Sequence, residues 1–113
     1  MLFNSPVRVG LLALALTSSL WTSAFAAPAL VKIRITNFVF DAATVTVPVG
    51  TTVTWVNEDD VPHTVVSDDK TTFRSKVMDT DGSFSFTFAN PGTYAYFCSI
   101  HPHMTGKVVV KAP

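Results

Sequence analysis

Seven consecutive residues, Cys98-Ser99-Ile100-His101-Pro102-His103-Met104, bring a thiol, two imidazoles and a thioether into one short stretch. Cys98, His101 and Met104 follow a C-x2-H-x2-M spacing, and a turn of that length can direct three side chains at one point. Thiolate and thioether combined with imidazole form the donor set that selects copper over hard cations. Three donors leave the set one short, and the only histidine elsewhere in the chain is His63. One cysteine, two histidines and a weak axial methionine make a copper centre suited to one-electron transfer. Each residue also has an ordinary alternative. A lone methionine more often fills a core; the spacing from Cys98 and His101 is what sets Met104 apart. His103 neighbours the cluster and reads as a surface residue.

The elements that must position these side chains are strands. Leu30 to Ile35 alternates, with Lys32 and Arg34 on one side and Val31, Ile33 and Ile35 on the other. Phe38 and Phe40 follow at strand spacing. Thr44 to Val47 leads into the turn signal Pro48-Val49-Gly50, and Thr51 to Val56 resumes with Val53 and Trp55 on one face. Ser83 to Phe88 places Phe84, Phe86 and Phe88 inward; Asn90-Pro91-Gly92 turns the chain into Thr93 to Phe97, and Lys107 to Val110 closes it. Short alternating runs with regular turn punctuation predict an all-β, Greek-key sandwich whose loops gather at its two ends. Cys98 then sits at the end of one strand, and Gly106 frees the backbone to enter the next. Pro102 restricts the ligand loop between them. Asp68 to Thr72 reads as a loop, Phe73 to Met78 as either an irregular strand or a helical turn, and Glu58-Asp59-Asp60 as a solvated acidic loop near the copper end.

At 113 residues the chain holds one domain at most. Its first 26 residues read as a secretory signal: Arg8, an apolar core from Val9 to Leu16, and an A-x-A cleavage pattern at Ala24-Phe25-Ala26. The apolar run is shorter than the roughly 20 residues a membrane span needs. The domain, residues 27–113, is therefore expected in the periplasm or otherwise exported, with no membrane span after cleavage. Eight basic residues balance eight acidic ones, which gives no patch for nucleic acid. A single cysteine cannot form an internal disulfide, and a leftover cysteine in an exported chain is a reactive thiol or a ligand. With His101 and Met104 beside it, the ligand reading prevails.

The chain resembles the cupredoxins, and among them is most similar to the amicyanin branch, which has the same C-x2-H-x2-M spacing. The resemblance is carried by Val53-Thr54-Trp55-Val56-Asn57, Pro62-His63-Thr64-Val65, Asp81-Gly82-Ser83-Phe84, Pro91-Gly92-Thr93-Tyr94 and Cys98 through Gly106. It implies that His63, Cys98 and His101 are the strong ligands of a single type 1 copper ion and Met104 the weak axial one. It also implies that Asn57 ties the two ligand loops together, with the Thr64 N–H a donor beside the site. Ile100, where proline is usual, and His103, where an apolar or aromatic residue is usual, depart from the pattern.

Four protein donors leave no open position for a substrate, which argues for electron transfer and against catalysis. The expected role is a monomeric carrier passing single electrons between redox proteins, such as a dehydrogenase or a cytochrome c, with His101 as the exit ligand among Pro62 and Pro102. The alternative is a copper-binding module for periplasmic delivery or sequestration.

Overall fold

Alternation of apolar and polar side chains puts one face of each segment into a core, because successive side chains of a strand point to opposite faces. The computed structural model describes residues 2–21 and 29–113. Among the described residues there are eight strands and no helix: β1 (Leu30–Thr36), β2 (Val39–Asp41), β3 (Thr44–Pro48), β4 (Thr52–Asn57), β5 (Val66–Ser67), β6 (Ser83–Thr87), β7 (Gly92–Phe97) and β8 (Thr105–Lys111). They form two four-stranded sheets of order β2-β1-β4-β6 and β3-β8-β7-β5, a Greek-key β-sandwich. The pairs β1–β4 and β3–β8 are parallel and the remainder antiparallel.

The inward faces supply Ile33, Ile35, Val53, Trp55, Phe88, Tyr96 and Val108, all essentially without solvent exposure. Burying each such side chain contributes about 1.5–3 kcal/mol. Outward, the hydroxyls of Thr52 and Thr87, and of Thr54 and Ser85, pair across β4 and β6. Residues 2–21 form no strand or helix, and their large apolar side chains, Trp21 among them, lie exposed, so the core is built without them. No helix among the described residues is long and apolar enough to cross a membrane. The cleavage pattern at Ala24-Phe25-Ala26 lies outside the described residues.

Three local expectations are refined. Phe38 does not continue a strand. Asn37 and Phe38 form a two-residue turn between β1 and β2, both with positive φ (49° and 60°). Phe73 to Met78 is an irregular strand, bridged at Val66–Arg74 and His63–Met78. Gly106 lies inside β8 rather than at a turn. It pairs with Tyr96, and an added Cβ would stand 2.3 Å from the tyrosine ring. The requirement there is room for a close approach, not backbone freedom.

Candidate metal centre

Two loops at one end of the sandwich carry the cluster. The first leaves β4 and delivers His63; the second joins β7 to β8 and delivers Cys98, His101 and Met104. His63 is fixed by its backbone: its N–H donates to the Met78 carbonyl at 3.1 Å, and the Met78 N–H returns to the His63 carbonyl at 2.8 Å. The irregular strand thus holds His63 through its backbone. That second loop closes on itself, with the Cys98 N–H on the Met104 carbonyl (3.0 Å) and the Met104 N–H on the His101 carbonyl (2.9 Å). Cys98, His63 and Met104 are buried, and His101 is the ligand candidate that reaches the surface.

Cys98 Sγ lies 3.8 Å from Nδ1 of His63 and 3.8 Å from Nδ1 of His101. All three donor atoms fall within 4.8 Å of one another. A transition-metal ion bound at about 2.0–2.3 Å by nitrogen and sulfur would hold such donors roughly 3.5–4 Å apart. The spacing fits an ion among them, and the donor types fit copper.

The electrostatics prepare the sulfur. Burial alone pushes the Cys98 thiol up, but the Thr64 N–H at 3.4 Å, the His63 ring and the His101 N–H and ring together outweigh it and bring the thiol down to about 6. The thiolate, the form that binds metal, is therefore dominant at neutral pH. The tie between the two loops runs through Thr64. Its hydroxyl meets Ser99 Oγ at 2.7 Å and accepts the Ser99 N–H at 2.8 Å, while its N–H points at Cys98. Asn57 was expected to make that tie. Its amide instead donates to the carbonyls of Val61 and Met78 and accepts the Asp59 N–H, so it joins the His63 loop to the irregular strand and not to the second loop.

Two residues of the arrangement went unread in the sequence. Asp59 is not solvated: its carboxylate meets Nε2 of His63 at 2.8 Å with only 12% of the side chain exposed. With Nε2 held there, Nδ1 faces Cys98, the arrangement by which a carboxylate orients a metal-binding imidazole. The same carboxylate accepts the N–H groups of Asn37 and Phe38, two successive donors of a positive-φ turn. Burial pushes Asp59 up, yet the Phe38 and Asn37 N–H groups and the His63 ring outweigh it and leave Asp59 below its ordinary range. Phe38 is the second. Its ring stands perpendicular to both imidazoles, with centroids 5.6 Å from His63 and 5.0 Å from His101. Holding an L residue in the left-handed region costs roughly 1–2 kcal/mol, and glycine is the usual occupant of such a hairpin position. Neighbouring Glu58 is engaged as well, with Arg34 at 2.6 Å and Lys32 at 3.5 Å on β1.

Comparison with known proteins agrees with this geometry. A cupredoxin-like domain model matches residues 8–110. Amicyanin of Paracoccus denitrificans is 33% identical over 99 residues, covering 84% of this chain and 76% of that one. Amicyanin of Paracoccus versutus is 42% identical over 73 residues, 59% of this chain, and the match spans only 54% of that relative's length. Among solved structures, an amicyanin variant in its Cu(I) form superposes with a TM-score of 0.69 at 33% identity, covering 76% of this chain and 86% of its own. A purple cupredoxin from Nitrosopumilus maritimus gives 0.67 at 35% identity, over 72% and 99% of the two chains. With the family model running from residue 8 to residue 110, and this sandwich beneath it, the chain belongs to the cupredoxin-like family.

Proposed function

We propose that this chain is a blue-copper electron carrier, with His63, Cys98 and His101 as the strong ligands of one copper ion and Met104 as the weak axial ligand. The observation that carries the reading is the convergence of one thiolate sulfur and two imidazole nitrogens within 4.8 Å on two braced loops. A bound copper ion would supply the Cu(I)/Cu(II) one-electron couple. The chain's own residues do the rest. Thr64 fixes the Cys98 sulfur and locks the two loops together, Asp59 and Asn57 hold His63, and the internal bonds of the second loop hold Met104. Donors held this firmly move little between oxidation states, which keeps the cost of reorganisation low. His101, partly exposed between Ile100 and Pro102, offers the route for the electron.

Its partners in this reading are redox proteins, a dehydrogenase or a cytochrome c among them, met by a soluble monomer at that apolar end. The leader supports export to the periplasm, with cleavage after Ala26 freeing residues 27–113. The absorption spectrum of the copper-loaded protein is the test. An intense band in the red, abolished by Cys98→Ala, is the expected result. A pale copper adduct would overturn the carrier reading in favour of copper delivery or sequestration.

A further inference from the structure

Phe38 combines three features that turn chemistry alone does not explain. It occupies a left-handed conformation (φ 60°) where glycine would be easier. Its N–H is held at 3.0 Å by Asp59, the carboxylate that also orients His63. The residue remains 47% exposed, yet its ring is set perpendicular to both candidate imidazoles. A side chain serving only the core would face inward, as Phe40 does on the neighbouring strand. The strained backbone instead aims the ring outward and over the His63–His101 pair.

We infer that Phe38 is a cover of the metal centre, positioned by Asp59, which keeps water and small chelators from the metal and limits how far His101 can swing away from it. The inference rests on the copper reading above. His101 is the partly exposed ligand, so the path past its ring is the natural way for a small molecule to enter, and Phe38 stands at 5.0 Å along that side. A protein partner needs only contact with the surface to exchange an electron, whereas a chelator must reach the metal itself. An aromatic cover separates the two.

The test compares copper-loaded wild type, Phe38→Gly, Phe38→Asn and Phe38→Tyr. Glycine and asparagine both accept the left-handed turn, so the hairpin is retained while the ring is lost. In both variants the intense red band should persist and the metal-free protein should melt close to wild type. Transfer of Cu(I) to bathocuproine disulfonate should accelerate about tenfold, within the range seen when groups supporting a metal ligand are removed. Pulsed EPR of the Cu(II) form in deuterated water should show an added exchangeable deuterium coupling. Phe38→Tyr, which keeps the ring, should match wild type in both readouts. Chelator transfer and deuterium coupling unchanged in the glycine and asparagine variants would overturn the inference, as would a tyrosine variant behaving like them. If wild type lacks the red band, the carrier reading fails instead, and chelator transfer alone still decides the role of Phe38.

Discussion

Two carboxylates hold loops in this molecule, and they do so in opposite ways. Asp69 takes all its donors from its own turn: the Ser67 hydroxyl and the Thr71 and Thr72 N–H groups, with the Thr72 hydroxyl as well. Asp59 takes one imidazole four residues on and two N–H groups from a turn more than twenty residues earlier in the chain. Both are held below the ordinary carboxylate range, Asp69 first by the Ser67 and Thr72 hydroxyls, Asp59 by the turn N–H groups and His63 against the opposing effect of burial. The shared depression hides different tasks. A carboxylate satisfied locally shapes its own loop, whereas one satisfied from afar fixes elements relative to each other, and one of those is a candidate ligand.

The largest expected effect follows from breaking the long-range carboxylate. Asp59→Ala frees the His63 ring and releases the turn carrying Phe38, so copper affinity should fall about 10–100-fold, measured by competition with a chelator of known affinity. An equal loss in Asp69→Ala would erase the distinction. A smaller effect sharpens it. In metal-free protein, thiolate absorbance near ~240 nm should titrate with a midpoint of about 6, against ~8.5 for a free cysteine. Because the folded value is the lower one, the thiolate's contribution to stability is fully present above ~8.5 and lost as pH falls through the folded value. Asp59→Ala should move that midpoint upward, since a released His63 no longer supports the sulfur, while Asp69→Ala should leave it in place. The smallest effect belongs to Asp69 itself. Its replacement by alanine should lower the melting temperature slightly, with copper spectrum and affinity unchanged. A shifted spectrum would show that the 68–72 loop reaches the site after all.

What was legible in the sequence divides along the same line. The cluster of Cys98, His101 and Met104 could be read because their spacing is local, and the strands because alternation is local. His63 followed as the one remaining histidine able to complete the set. Asp59 could not be read, because an Asp within Glu58-Asp59-Asp60 looks solvated until folding brings Asn37, Phe38 and His63 around it. Phe38 matched the strand period with Phe40, and only the turn geometry separates the two. The tie assigned to Asn57 falls to Thr64 because the contact with Ser99 spans 35 residues. Gly106 has the same origin: its role is set by the Tyr96 ring on the adjacent strand.

The position of β8 governs when any of this can form. In chain order it follows every other strand, yet in its sheet it lies between β3 and β7, and β3 pairs with nothing else in that sheet. Partners some sixty residues apart, such as Thr44 and Lys107, must meet before that sheet closes, and contacts this distant in sequence slow folding because a large loop must close first. A chain emerging with its N-terminus first therefore cannot complete the sandwich until β8 is free. The loop from Cys98 to Met104, anchored between β7 and β8, acquires its shape in that same closing step. The shape of that ligand loop thus waits on the docking of β8.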